Sequence, residues 1–369
     1  MKIIISGGGT GGHIFPAIAV AQELKSKDKT IEILFVGAKG KIEMEKVPKA
    51  GFKIIGLPIS GLQRKLTLKN LSFPFKLIRS LWEAMGIIRR FKPDAIVAFG
   101  GYASGPIAQA AIWKNIPVIL QEQNSYPGIT NKLLAKKAKK ICVAYKGMEK
   151  FFPKEKIIYT GNPVRRLISD LDNSKNDKDI NSSLRHFDLV QNKKTVLVFG
   201  GSLGAGSLNE AVKLNLKKIL DKENIQLIWQ VGKLYFDRYI YLEKEYISKV
   251  KILPFIDKMD LAYIAADIVV CRAGALTISE LSLAGKAAIL VPSPNVAEDH
   301  QTKNAMSLVR ENAALILKDN EIKEKLGDEI LELVNDSNKI KKLEENIKKL
   351  AKPDSAEEIA DVVLKSIRI

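Results

Sequence analysis

Met1-Lys2-Ile3-Ile4-Ile5-Ser6-Gly7-Gly8-Gly9-Thr10-Gly11-Gly12-His13 decides the architecture. An apolar, β-branched run meets a glycine-crowded turn and passes straight into a helical pattern over Ile14 to Leu24, the strand–loop–helix opening of a nucleotide-binding α/β fold. Without a Cβ the glycine backbone takes positive φ and lets a bulky group approach the N–H groups at the positive end of a helix. His13, beside this loop, is a candidate for proton transfer, because imidazole changes charge near neutral pH.

Working outward, Ile31 to Val36 reads as a second strand and Gly51 to Pro58 as a short third one. Gly7, Gly9 and Gly12 formally satisfy G-x-G-x-x-G, so a dehydrogenase must be weighed. A dinucleotide site also needs an acid at the end of the second strand, where this chain has Val36-Gly37-Ala38-Lys39. The missing acid argues against NAD. Ala95 to Phe99 is the next strand and leads through Gly100-Gly101-Tyr102-Ala103-Ser104-Gly105-Pro106 into a helix. Pro117 to Gln121 follows, ending in Glu122-Gln123-Asn124, and polar groups at the carboxyl end of a strand are site candidates in an open α/β sheet. Lys132 to Lys140 is expected to be a basic, solvated helix, and Ile157 to Thr160 a last strand closed by Gly161-Asn162-Pro163-Val164-Arg165.

From Asp170 to about Lys194 the chain turns polar and linker-like, which places a domain boundary at Pro163. The opening pattern then restarts. Thr195 to Phe199 leads through Gly200-Gly201-Ser202-Leu203-Gly204-Ala205-Gly206 into a helix reaching Leu220, and Leu227 to Val231, Val250 to Leu253, Ile268 to Cys271 and Ala287 to Val291 read as strands. Gly274 and the small residues after it would start a helix able to take a diphosphate, with Glu280 one and a half turns along, suited to the two hydroxyls of a ribose. Glu298 to Asn304 is expected as a loop that reaches a sugar. Ser355-Ala356-Glu357-Glu358 reads as a capping box before a helix with Ile359, Val363 and Ile367 on one face. The fold class is therefore α/β, with two Rossmann-like doubly wound domains facing across a cleft.

Composition narrows the function. A chain of 369 residues is long enough for two cores, and 46% hydrophobic with 27% charged residues is ordinary for a globular protein. Cys142 and Cys271 sit in apolar segments without paired spacing, so neither a disulfide nor a zinc site is expected. No secretory leader and no spanning helix is expected, since apolar runs fall short of the ~18 residues a span requires. The net charge of +18 favours an anionic partner. Between Gly61 and Pro93 lie eight basic residues, Arg64, Lys65, Lys69, Lys76, Arg79, Arg89, Arg90 and Lys92, against the single acid Glu83. In the same stretch Ile78, Leu81, Trp82, Met85 and Ile88 fall at helical spacing, so one face is expected in the core. The remaining Phe73, Phe75 and Leu77 beside basic groups match a helix docked on an anionic membrane surface. No recognition element for nucleic acid accompanies the charge, so a nucleic-acid partner is not expected.

Taken together, Gly8–His13, Gly100–Pro106, Glu122–Asn124, Gly161–Arg165, Gly200–Ala205, Arg272–Glu280 and His300-Gln301-Thr302-Lys303-Asn304-Ala305 resemble, in order and over nearly the whole chain, the bacterial UDP-N-acetylglucosamine:lipid I N-acetylglucosaminyltransferases of peptidoglycan synthesis. The resemblance implies the GT-B fold, with residues 1–163 as an acceptor- and membrane-binding domain and 164–352 as the UDP-N-acetylglucosamine-binding domain. The helix over about 353–369 would pack back on the first domain. It implies an inverting transfer of N-acetylglucosamine to the 4-hydroxyl of the MurNAc in undecaprenyl-pyrophosphoryl-MurNAc-pentapeptide, lipid I, giving lipid II, at the cytoplasmic face of the bacterial inner membrane as a peripheral enzyme. By motif, Glu280 would hold the ribose, Ser202 and neighbouring amides the phosphates, and Ile256 with Ala275, Leu276 and Thr277 the nucleotide. Gln301 would meet the sugar hydroxyls, with Thr10, Gly11, Gly12, Asn124 and Arg165 completing the donor site. Ala273 stands where some members carry serine, which removes one hydroxyl contact. Such a displacement needs a base, His13 first and Glu122 as the alternative, and a means of stabilising the leaving diphosphate. A helix N-terminus can do the second task, and no Asp-x-Asp ends a strand, so neither a metal nor a cofactor is expected.

Overall fold

Ile3, Ile4 and Ile5 are fully buried, and their alternation feeds two cores. Ile3 and Ile5 pack with one set of helices, Ile4 with the set on the opposite face. Covering both faces of a parallel sheet with helices explains why its strands read as continuous apolar runs rather than alternating ones. The computed structural model describes residues 1–61, 73–164, 168, 177–221 and 224–367. The chain divides into two units, one of 1–165 with 352–369 and the other of 166–351.

In the first unit seven parallel strands, β1 (Lys2–Ser6), β2 (Glu32–Ala38), β3 (Lys53–Leu57), β4 (Ala95–Ala98), β5 (Val118–Glu122), β6 (Lys140–Val143) and β7 (Ile157–Tyr159), lie in the order β3-β2-β1-β4-β5-β6-β7. The direction of winding reverses between β1 and β4, which pair with Ile3 opposite Ala95 and Ser6 opposite Ala98. At such a switch point the two strand-end loops diverge and leave room for a ligand. The expected helix over Lys132 to Lys140 is a correction. The helix is Ile129–Leu134, and Lys140 opens β6, whose short Ile141-Cys142-Val143 run is buried between β5 and β7.

In the second unit six strands, β8 (Lys194–Phe199), β9 (Ile225–Gln230), β10 (Val250–Leu253), β11 (Ile268–Cys271), β12 (Ala287–Leu290) and β13 (Leu315–Ile316), are parallel in the order β10-β9-β8-β11-β12-β13, with the same reversal between β8 and β11. The linker-like stretch contains a helix, Asp177–His186, and Leu184, Phe187 and Leu189 in and after it are buried. Residues 170–176 lie outside the described ones. His300–Val309 is a helix rather than the expected loop.

The last helix, Ser355–Ile367, belongs to the first unit and buries Ile359, Ala360 and Val363 against the first helix, Gly11–Lys27, and the sheet. Each of the two larger aliphatic side chains contributes roughly 1.5–3 kcal/mol by leaving water. Lys27 adds ion pairs to Asp361 (2.9 Å) and Glu357 (3.0 Å). The expected capping box does not form. Ser355 is buried as the first helical residue, and its hydroxyl donates to the Lys352 carbonyl at 2.7 Å. Both cysteines are buried free thiols, and burial pushes Cys142 up to about 12 and Cys271 higher as well.

Helix Phe73–Phe91 corrects a further expectation. Its core face is Ser80, Ala84, Ile87 and Ile88, whereas Phe75, Ile78 and Trp82 are 77%, 66% and 79% exposed. Arg64, Lys65 and Lys69 of the basic stretch lie outside the described residues. Among the described residues no helix is long and apolar enough to cross a membrane.

Candidate active site

At the carboxyl edge of the first sheet, the β1 loop and the β4 loop press together. Gly101 has φ +74°, and a Cβ there would sit 2.5 Å from the Gly8 carbonyl oxygen, so only glycine permits the approach. Thr10 caps the first helix in an extended conformation, and its carbonyl accepts the His13 and Ile14 N–H groups at 3.2 and 3.4 Å. This puts Thr10, Gly11, Gly12 and His13 on the first turn above the switch point. The His13 ring lies against the second glycine loop. Side chains at Gly100 or Gly101 would come within 3.6 Å of Cε1 or 3.2 Å of Cδ2, the two carbons that flank Nε2. Glycine at both positions keeps side chains of this loop away from the Nε2 edge of the ring.

The other ring nitrogen is engaged. Nδ1 of His13 is 3.0 Å from Gln123 Oε1. Gln123 follows β5 and is 1% exposed, and its Nε2 donates to the Phe99 carbonyl at 2.8 Å and to Gln121 Oε1. Gln121 donates to Asn162 Oδ1 at 3.0 Å, and Asn162 donates to the Gln123 carbonyl at 3.0 Å.

Glu122 is 1% exposed, and both its oxygens are occupied. Oε1 accepts from the Asn124 N–H at 3.0 Å and from Asn124 Nδ2 at 3.2 Å, while Oε2 accepts from the Gly128 N–H at 3.1 Å and Asn131 Nδ2 at 2.9 Å. A carboxylate with four donors organises the β5 loop and leaves little lone-pair capacity for an incoming hydroxyl. The geometry favours His13 over Glu122 as the proton acceptor.

Glu43 is a member of this site that sequence reasoning missed. It opens the helix Glu43–Lys49, is fully buried, and accepts from the Gly9 N–H at 3.1 and 3.2 Å and from the Ala38 N–H at 3.0 Å. A Cβ on Gly8 would overlap its carboxylate. The β1 loop is thus propped from beneath by an internal carboxylate, and the Gly9 amide is already engaged before any ligand arrives. Tyr102 packs over Gly9, and burial, with Glu43 behind it, pushes its phenol above the usual value, so it stays a neutral hydroxyl. The only signal for Glu43 in the sequence was an acid in the first turn of a short helix, which the helix dipole favours anyway.

The second unit gathers its candidates on the matching edge of its sheet. Ser202 is exposed on the β8 loop, and Ile256 is buried after β10. Ala275, Leu276 and Thr277 form the first turn of helix Ala275–Ala284, capped by extended Gly274, and Glu280 lies further along it. Helix N-termini present N–H groups outward, so this turn suits an anion. Glu280 Oε2 accepts from the buried Tyr263 hydroxyl at 3.1 Å. Gln301, on helix His300–Val309, accepts the Ser293 N–H at 2.8 Å. Arg272 ties the edge together. Its guanidinium is 2.6 Å from Asp319 and donates to the Val291 and Pro292 carbonyls at 3.1 and 3.2 Å and to the Ser207 hydroxyl at 2.6 Å. Arg165 lies outside the described residues. Thr10, Gly11, Gly12, His13, Glu122 and Asn124 belong to the first unit and the remaining described candidates to the second.

Two family domains match this chain. Residues 3–143 match the glycosyltransferase family 28 N-terminal domain, and 195–359 match the family 28 C-terminal domain. A UDP-N-acetylglucosamine--N-acetylmuramyl-(pentapeptide) pyrophosphoryl-undecaprenol N-acetylglucosamine transferase from Flavobacterium psychrophilum is 51% identical over 368 residues, 99% of this chain and 98% of that protein. The protein of the same description from Bacteroides thetaiotaomicron is 51% identical over 367 residues, 99% and 97% of the two chains. The crystal structure of MurG from Acinetobacter baumannii superposes with a TM-score of 0.76 at 28% identity, covering 99% of each chain.

Proposed function

This chain belongs to glycosyltransferase family 28, and from that premise we propose that it moves N-acetylglucosamine from UDP-N-acetylglucosamine to the 4-hydroxyl of the MurNAc of undecaprenyl-pyrophosphoryl-MurNAc-pentapeptide, lipid I, to give lipid II. The observation that carries this reading is His13 at the β1–β4 switch point, with Nδ1 engaged by Gln123 and the Nε2 edge of the ring facing two glycines that add no side chain there. His13 Nε2 takes the proton from the acceptor hydroxyl as that oxygen bonds to the anomeric carbon. The bond from the anomeric carbon to the UDP diphosphate breaks on the opposite face, so the configuration inverts.

In the second unit the roles follow from chemistry. Glu280 accepts from the ribose hydroxyls, and the N-terminal turn Ala275-Leu276-Thr277 with the Ser202 loop offers N–H groups to the departing diphosphate, which lowers the barrier where charge develops. Ile256 supplies an apolar wall for the base, and Gln301 reaches the sugar hydroxyls once it exchanges its Ser293 contact. Glu122 and Asn124 shape the β5 loop beside His13, and Thr10, Gly11 and Gly12 form the turn that carries it. Exposed Phe75, Ile78 and Trp82 among basic residues dock the protein peripherally on the anionic face of the membrane that holds the lipid acceptor.

The test is release of UDP from UDP-N-acetylglucosamine by the purified chain, with and without a lipid I analogue. Acceptor-dependent release that falls by two or more orders of magnitude in His13→Ala is expected. Release independent of the acceptor, or no release by folded protein that binds UDP, rejects the reading.

A further inference from the structure

On the reading that His13 is the base, we propose that Gln123 is a positioning residue that fixes the tautomer of His13, holding the proton on Nδ1 and presenting the bare lone pair of Nε2 to the acceptor hydroxyl. Imidazole has two tautomers, and only the nitrogen without a proton can act as base. Three buried amides and two backbone carbonyls decide which one it is.

The argument starts at Phe99. Its carbonyl can only accept, so the Gln123 side-chain atom 2.8 Å away is the nitrogen, and the oxygen of the same amide faces His13. The far end of the network sets the same direction independently. The Gln123 main-chain carbonyl can only accept, which turns Asn162 Nδ2 toward it and Asn162 Oδ1 toward Gln121. Gln121 therefore donates to Asn162 and offers its own oxygen to Gln123 Nε2. No member flips without setting two oxygens or two N–H groups face to face, and all three residues are at most 2% exposed, so water cannot relieve such a contact. Gln123 Oε1 has no proton to give. The atom 3.0 Å from it, His13 Nδ1, must carry one.

The consequence spans the reaction. Nδ1–H donates to Gln123 Oε1 when the ring is neutral and when it has taken the acceptor's proton on Nε2. The hydrogen bond persists from ground state to imidazolium, and the ring need not rotate to receive the proton. A neutral amide does this without placing a second buried charge beside the ring.

The experiment labels the three histidines with 15N and reads the ring nitrogens at a pH where His13 is neutral, assigning them by comparison with His13→Gln. Expected is a protonated Nδ1 and an unprotonated Nε2 in the unaltered chain. In Gln123→Met the two nitrogens move to averaged positions as the tautomers mix, and kcat/KM falls about tenfold, the weight of one neutral hydrogen bond. A cooperative unfolding transition of the first unit, measured on the same sample and retained in Gln123→Met, shows that the unit carrying His13 is folded. A proton on Nε2 in the unaltered chain overturns the proposal, and so do nitrogen positions that Gln123→Met leaves unmoved. A protonated Nδ1 together with full turnover in His13→Gln rejects instead the assignment of His13 as base, on which the proposal rests.

Discussion

The buried hydroxyl of Tyr263 donates to Glu280 Oε2 across 3.1 Å, so a phenol from the helix before β11 holds a carboxylate on the helix after it. If Glu280 grips the ribose, Tyr263 orients the grip. Tyr263→Phe is expected to weaken UDP binding about three- to tenfold, the weight of one hydrogen bond to a charged partner shared with solvent. Because the loss falls on the ribose contact, the preference for UDP over 2′-deoxy-UDP should shrink with it. Titration calorimetry with both nucleotides checks this, and an equal loss for the two would show that Tyr263 acts only through general packing.

Glu43 gives the second prediction. Glu43→Ala leaves the half-buried Gly9 N–H and the buried Ala38 N–H without their acceptor, and a fully buried orphan costs about 1–3 kcal/mol. Denaturant unfolding should show a loss of roughly 2–4 kcal/mol in the first unit. Turnover should fall by more than tenfold because the β1 loop carries His13, while UDP affinity, assigned to the second unit by the proposed function, should hold. Glu43→Gln, which retains one accepting oxygen, should fall between the two. Normal turnover in Glu43→Ala would remove Glu43 from the site.

These two residues mark where the sequence stops being informative. The strands were legible because burial on both faces demands unbroken runs such as Ile3-Ile4-Ile5 and Ile268-Val269-Val270-Cys271, and the glycine turns because close approach demands residues without side chains. His13, Glu122 and Glu280 stood out because they follow such runs and turns. Glu43 and Tyr263 act across 34 and 17 residues of chain, and nothing local distinguishes an acid that caps a helix from one that props a distant loop. β6 was hidden because three apolar residues after a lysine-rich stretch carry too little periodicity to identify a strand. On helix Phe73–Phe91 the spacing of Ile78 and Trp82 fits a core stripe as well as an exposed one. The pattern gives the face, and only the fold says which way it points.

The junction between the first and last helices is sensitive to pH in a calculable direction. Hydrogen bonds to Asp361 and then Glu357 hold the Lys27 ammonium above the ordinary lysine value of 10.5. A raised value means that the folded state binds the proton more tightly. The contribution is complete below 10.5 and is lost as pH rises through the folded value. Both partners are partly exposed, so the pair is worth no more than about 1 kcal/mol. Lys27→Met should lower stability by that amount at neutral pH, and the difference from the unaltered chain should vanish in strong alkali or in about 1 M salt. A difference that survives both would assign the loss to the aliphatic stem of Lys27.

The exposed face of helix Phe73–Phe91 gives the last prediction. Phe75, Ile78 and Trp82 are each more than 60% exposed, and Lys76, Arg79, Arg89 and Arg90 lie on the same helix. In water such a face is a liability, whereas at a bilayer surface the aromatic groups enter the interface and the cations meet anionic headgroups. Each basic residue near the surface adds about 1 kcal/mol. Sedimentation with vesicles containing anionic lipid should therefore retain the unaltered chain at low salt and release it as salt rises. Replacing Phe75 and Trp82 together with serine should lower partition on the order of 10–100-fold, as expected for losing roughly 1.5–3 kcal/mol of apolar burial. Turnover with a water-soluble, short-chain acceptor should be unaffected, because both side chains are largely exposed to solvent. Equal vesicle binding by the double variant would leave the charge alone as the attachment. A matching loss of turnover on the soluble acceptor would show that the face supports the fold rather than the membrane.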